Sequence, residues 1–219
     1  MKDNIVFLLS LAMILVCCNK NDSLFVKSKF PKLIKRTELT GGHAATEYTW
    51  NGNTRIGDGS IVEYNDYGKV VRFIEANGHN YTFEYDECDN FCKRTKRIEE
   101  GTLGHRIETK YTWNGNTRTG DDGTITEYNN HGSKVRSIEG QRIYTWEYMD
   151  CEDFCKMVKS STKYQQDPKI ETTYVWDGNV QIGDDGTVTE YNDLGNIMRL
   201  EFSNGSGYTY EYADCDEYR

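Results

Sequence analysis

Residues 81–88 read "YTFEYDEC", and the string returns as "YTWEYMDC" at 144–151 and as "YTYEYADC" at 208–215. Tyr81, Phe83 and Tyr85 alternate with Thr82 and Glu84. Tyr144, Trp146 and Tyr148 do the same, as do Tyr208, Tyr210 and Tyr212. A period of two puts the aromatics on one face and the polar residues on the other. That is the pattern of a half-buried strand, not of a helix.

Upstream of each string lies a longer shared phrase. It is "YTWNGNTRIGDGSIVEYNDYG" at 48–68, "YTWNGNTRTGDDGTITEYNNHG" at 111–132 and "YVWDGNVQIGDDGTVTEYNDLG" at 174–195. The spacing is 63 residues, with one residue inserted at Gly-Asp-Asp-Gly in the second and third copies. Trp50, Trp113 and Trp176 match, as do Gly68, Gly132 and Gly195. Glu63-Tyr64-Asn65 matches Glu127-Tyr128-Asn129 and Glu190-Tyr191-Asn192, and Arg72 matches Arg136 and Arg199. The separators are turn formers. Gly57-Asp58-Gly59, Asp122-Gly123, Asn77-Gly78 and Asn204-Gly205 supply positive φ between strands. "KLIKRTELTGGHAATEYTW" (32–50), "KRTKRIEEGTLGHRIETKYTW" (93–113) and "KMVKSSTKYQQDPKIETTYVW" (156–176) also align, so each unit begins before its Tyr-x-Trp phrase.

The spacing predicts three repeats over 32–92, 93–155 and 156–219, each of about five strands. The expected fold is all-β: an antiparallel meander of hairpins, either an extended twisted sheet or one curled into a shell or barrel. The apolar fraction is only 37% and the aromatic fraction 13%, led by 16 Tyr, so the sheet has aromatics rather than aliphatics to bury.

The chain opens with Lys2 and an apolar run from Ile5 to Val16. Twelve residues are too few to span a bilayer as a helix but suit the core of a secretory signal over 1–18. The run ends Leu15-Val16-Cys17-Cys18, which resembles a bacterial lipobox, and Cys18 is the expected lipidated residue. Residues 19–31 then read as a polar tether. Its Lys-Asn-Asp patch is similar to the surface-export signals of Bacteroidota lipoproteins, and Asp22-Ser23-Leu24 matches the short O-glycosylation pattern of that phylum. The membrane, reached through the lipid, is an expected partner, and the outer membrane of a bacterial envelope the expected location.

Charge excludes one class of partner. Residues 48–219 carry 19 basic and 31 acidic side chains, and an acidic body repels a phosphate backbone, so nucleic acid is not expected.

"EYNDYGKVVRFIEANGHNYTFEYDE" (63–87) and "EYNDLGNIMRLEFSNGSGYTYEYAD" (190–214) resemble YD (RHS-type) repeats, with a Tyr-x-x-x-Gly-x-hydrophobic hairpin and a closing Tyr-x-Tyr. They are also similar to the hairpin-repeat lipoproteins of Bacteroidota. The family pattern has Tyr-Asp where this chain has Tyr64-Asn65. The resemblance implies an antiparallel β scaffold, sometimes wrapped as a shell, and no enzyme.

Cys88 and Cys92 recur as Cys151 and Cys155. An exported chain meets oxidising conditions, so local pairing of Cys88 with Cys92 and of Cys151 with Cys155 is the first expectation, and pairing across repeats the second. A zinc site would need both pairs, a full unit apart and without His, so no metal is expected. Cys215 lacks its counterpart and is the candidate free thiol. Acids crowd these cysteines and the Gly-Asp turns, but no segment follows a calcium-loop pattern, and no cofactor is expected. Glu63 and Arg72 recur across a hairpin, which predicts a cross-strand ion pair. His43, His79, His105 and His131 sit in unequal loop-like positions and form no catalytic set, so no catalytic residue is assigned. Trp50, Trp113, Trp146 and Trp176 are either core, the favoured reading, or an exposed stacking platform. The expected function is a lipid-anchored envelope binding or scaffold module with no catalytic activity, its partner a protein or a glycan. The alternatives are a surface lipoprotein that binds or processes carbohydrate, and a subunit of a protein complex.

Overall fold

The computed structural model describes residues 30–40, 44–86, 88, 91–149, 151, 154–165 and 167–213. Cys18, His43 and Cys215 lie outside these residues, as do the signal and nearly all of the tether. The described residues form nineteen strands and no helix. The first unit contributes β1 (Lys32–Glu38), β2 (Ala45–Glu47), β3 (Thr49–Asn51), β4 (Thr54–Gly57), β5 (Ser60–Tyr64), β6 (Val70–Ile74) and β7 (Asn80–Asp86). The second contributes β8 (Lys93–Glu100), β9 (Arg106–Asn114), β10 (Thr117–Gly120), β11 (Ile125–Tyr128), β12 (Lys134–Glu139) and β13 (Arg142–Met149). The third contributes β14 (Lys156–Tyr164), β15 (Ile170–Asp177), β16 (Val180–Gly183), β17 (Val188–Tyr191), β18 (Ile197–Glu201) and β19 (Gly207–Ala213). The expected five strands per unit are six, seven where the long second strand of unit 1 is broken into β2 and β3. The extra strand comes from the short pieces around each Gly-Asp turn, whose four residues are too few to show a period of their own.

Pairing is antiparallel throughout and follows chain order from β3 to β19. The sheet then returns to its start: β19 pairs with β1, and β1 with β2. Lys32 lies opposite Ala213 as Lys93 lies opposite Asp86 and Lys156 opposite Met149. The N-terminal strand therefore completes the third unit, and the nearly closed, barrel-shaped sheet has one seam, at Tyr48 between β2 and β3. Closure leaves few free strand edges to recruit other chains.

Strands β9 and β15 change partner along their length. Lys110 and the residues before it pair with β8, while Tyr111 and those after it pair with β10. In the third unit the switch falls between Thr173 and Tyr174. The residue inserted at Gly-Asp-Asp-Gly serves this switch. Asp121 N–H donates to the Lys110 carbonyl at 3.0 Å, and Asp184 N–H to the Thr173 carbonyl at 2.9 Å. Unit 1 lacks the insertion, and there the strand is broken at Tyr48, whose N–H turns to the Ile34 carbonyl at 2.8 Å.

Bulges recur in register. Glu63, Glu127 and Glu190 each pair with an arginine, after which the register slips by one before Tyr64, Tyr128 and Tyr191. A second set follows Glu84 and Glu147. Bulges bend a strand and raise its twist, which curls a long meander into a ring. The turns match the sequence reading: Asp58 and Gly59 both have positive φ, 48° and 76°, as a two-residue hairpin requires. The recurrent arginines meet the recurrent glutamates as expected, with Arg72–Glu63 at 3.4 Å, Arg136–Glu127 at 3.1 Å and Arg199–Glu190 at 3.2 Å. These pairs are partly exposed, so each is worth about 0–1 kcal/mol and serves register more than stability.

Candidate functional site

The aromatic face of the sheet folds on itself where one unit meets the next. Phe91, just before β8, stands with its ring 5.8 Å from that of Trp113 on β9 and 5.6 Å from that of Tyr128 on β11, and the last two are 5.3 Å apart. Phe154, Trp176 and Tyr191 repeat the triad at 5.9, 5.5 and 5.3 Å. Phe30, Trp50 and Tyr64 close the ring with the same triad at 6.0, 5.2 and 5.4 Å. Such offset and edge contacts each add about 0.5–1.5 kcal/mol beyond area burial.

Each tryptophan of a triad is fixed by its indole N–H, which donates at 2.8 Å to a backbone carbonyl of the first strand of its unit: Leu33, Arg94 or Met157. Each phenylalanine sits on a glycine. A Cβ on Gly68, Gly132 or Gly195 would come within 2.8, 2.6 or 2.8 Å of Phe30, Phe91 or Phe154, and all three glycines have φ near +70° to +78°. The Tyr-x-x-x-Gly spacing is thus a ring seat, closed by a residue left-handed enough to need glycine.

A tyrosine from the preceding unit completes each junction. Tyr85 and Tyr148 lie close enough to Tyr128 and Tyr191 to influence their ionisation, and Tyr212 close enough to Tyr64 to be influenced by it. Burial pushes Tyr148 and Tyr191 up to about 12, and Tyr128, Tyr64 and Tyr212 upward for the same reason.

The sequence-derived candidates divide. Trp50, Trp113 and Trp176 belong to the triads. Trp146 does not: it is stacked on Tyr144 at 6.1 Å, at a position that Phe83 and Tyr210 take in the other units. All four tryptophans are half-buried, where a buried face was expected for Trp146. The described strands all belong to one sheet, and among the described residues no second sheet packs against it. Cys88 and Cys92, and Cys151 and Cys155, lie at bonding distance within their own loops. Among the described residues no cluster of three or more His, Cys, Asp or Glu could hold a metal.

Sequence reasoning missed Phe30, placed in the tether, and Phe91 and Phe154. Phe30 is one of five buried hydrophobic residues among those described. The signal was present as Phe30-Pro31-Lys32, Phe91-Cys92-Lys93 and Phe154-Cys155-Lys156, one string before each unit. Also missed were the cations. Arg118 lies over the rings of Tyr111 (4.4 Å) and Tyr128 (5.8 Å). Arg94 lies over Phe83 (4.3 Å) and Tyr85 (5.7 Å) and donates to the Tyr85 hydroxyl at 3.4 Å. Burial and then the charges of Arg118 and Arg94 lower the pKa of Lys134, and burial and then Arg94 lower that of Lys69.

No protein-family model matches the sequence, and no curated protein matches it. Among solved structures the chain is similar to the complex TcdB2-TccC3-Cdc42, with 13% identity over 76% of this chain and a TM-score of 0.34. It is similar to TcdB2-TccC3-TEV with 11% identity over 74% of this chain and a TM-score of 0.33. The chain spans 9% of the length of each of these. It is also similar to a porin-like protein from Bacteroides uniformis, with 11% identity, covering 83% of this chain and 96% of that one, at a TM-score of 0.32. No family assignment follows from similarity at this level.

Proposed function

We propose that the protein is a binding or scaffold module of the bacterial envelope, held to the membrane by lipid on Cys18, without catalytic activity, and built of YD (RHS-type) hairpin repeats. The observation that carries the reading is the use of one junction three times. The thrice-repeated side chains are occupied with one another: Trp with Phe, Tyr and a carbonyl, Arg with Glu. Residues so engaged hold a surface in shape and leave the variable positions between them to recognise a partner. The apolar run Ile5–Val16 before Cys17-Cys18 supports the anchor.

Palmitate labelling of the wild type and of Cys18→Ala tests the anchor. Label on the wild type alone supports it, and equal label on both refutes it. A second reading, a glycan-binding surface, is favoured by Trp146 and Tyr144, half-buried and stacked, with tryptophan at that position in one unit only. A glycan array probed with wild type and Trp146→Ala separates the two: sugar binding lost in the variant selects the glycan surface, and retained pull-down of a protein partner by both selects the scaffold.

A further inference from the structure

The three junctions share their aromatics and differ in charge. At the junction of units 2 and 3 the variable positions are Met157, Gln181 and Ile197. The Gln181 amide donates to the Met157 carbonyl at 2.9 Å and accepts from the Tyr191 hydroxyl at 3.2 Å, so these three positions carry no charge and the Gln181 amide is paired. At the closing junction the same positions are Leu33, Arg55 and Val70, a single cation stacked at 4.7 Å on Tyr48. At the junction of units 1 and 2 they are Arg94, Arg118 and Lys134. Three like charges on partly buried ground repel one another and lose hydration.

Among the described residues no ion pair neutralises them. The ion pairs among the described residues engage Arg36, Arg72, Arg97, Arg106, Arg136 and Arg199 but not Arg94, Arg118 or Lys134. Arg118 spends one nitrogen on the Thr126 hydroxyl at 3.1 Å, while its Nε is buried without an acceptor. Among the described residues Asp122 acts on Arg118 and Glu139 on Lys134 through charge, and neither forms an ion pair with them.

We infer that the junction of units 1 and 2 binds an oxyanion, the carboxylate, sulfate or phosphate group of a small acidic ligand, through Arg94, Arg118 and Lys134. Guanidinium groups suit such oxygens because their N–H donors form a planar fork, and stacking on Tyr111 and Phe83 holds each fork in place before the ligand arrives. The inference rests on the reading of the chain as a binding module and gives that module the chemistry of its ligand.

The neighbouring junction supplies the control. Arg94→Met, Arg118→Gln and Lys134→Ile together rewrite this junction as that of units 2 and 3, using side chains the same scaffold already carries. The full chain in detergent is titrated with sodium sulfate, sodium phosphate and sodium glucuronate. Ionic strength is held constant with sodium chloride, and binding is read by calorimetry and by melting temperature. The expected result is saturable binding of at least one of the three by the wild type, weakened at least tenfold in the triple variant. In chloride alone the variant melts no lower than the wild type. Tightest binding of glucuronate assigns the site to a sugar acid, and tightest binding of an inorganic ion to a sulfate or phosphate ester. Arg118→Gln alone, expected to weaken binding several-fold, serves if the triple variant does not fold. No saturable binding by the wild type, or equal binding by wild type and variants, overturns the proposal and leaves palmitate labelling at Cys18 unaffected.

Discussion

Asp121 and Lys110 exchange two hydrogen bonds: the Asp121 N–H donates to the Lys110 carbonyl at 3.0 Å, and the Asp121 carboxylate accepts from the Lys110 N–H at 3.1 Å. They meet where β9 leaves β8 and joins β10. Asp121→Ala removes one of the two bonds and leaves the Lys110 N–H to water. The expected loss is modest, roughly 2–4 °C in melting temperature for a chain of this size. Deleting Asp121 should do more, breaking β9 at Tyr111 as β2 and β3 are broken at Tyr48. Amide exchange at Lys110 and Tyr111, slow in the wild type and fast in the deletion, checks it.

Gly132 tests the ring seat. Alanine there meets Phe91 at 2.6 Å and must hold φ at +78°. A left-handed non-glycine residue costs about 1–3 kcal/mol before any clash. Gly132→Ala should therefore destabilise by at least that amount in a denaturant titration. Gly140→Ala, with φ +59° and open space around its Cβ, should lose less.

Much of this architecture is legible in the sequence because the period-two aromatics and the Gly-Asp turns act locally. Tyr81, Phe83 and Tyr85 declare a strand whatever lies beside it, and the 63-residue spacing declares the repeat. Closure is not legible. It depends on residues such as Lys35 and Glu211, 176 apart, which meet at 2.8 Å, and no local pattern marks such a pair. Phe30 escaped for a related reason: one aromatic among lysines and serines has no period. The cations of the junction escaped because Arg94, Arg118 and Lys134 look like solvated strand residues until the fold brings them to one place.

The tryptophans should separate by role. Trp113→Ala loses the triad and the bond to the Arg94 carbonyl. Because the ring is half-buried, the expected cost is about 2–4 kcal/mol, below the roughly 3–5 of a fully buried ring. Trp146→Ala loses a stacked neighbour, and for its Nε1 the structure shows no bond to break, so its cost should be the smaller. Thermal melts of the two variants give the order, and the reverse order would contradict the assignment of Trp113 to the scaffold.

Alkali should unfold the ring. Tyr148 and Tyr191 hold their protons up to about 12 in the fold, against 10.0 for an ordinary phenol. Between these values the unfolded chain binds fewer protons than the folded one, so stability falls as pH rises, by up to ~3 kcal/mol per tyrosine above both. Lys32, Lys69 and Lys134, whose pKa values are lowered by burial, act in the opposite sense but are fewer than the tyrosines that burial shifts upward. Denaturant midpoints should drop steeply above about pH 10, and Tyr148→Phe should reduce the drop.

The account turns on β1 completing the third unit. Thr37 of β1 lies directly opposite Thr209 of β19, within the reach of a disulfide. Thr37→Cys with Thr209→Cys should cross-link on mild oxidation, giving a monomer that migrates faster without reductant. Thr37→Cys alone should not. If the two thiols stay free and react with alkylating reagents as fast as in the unfolded chain, β1 does not close the ring, and the third junction does not exist as described.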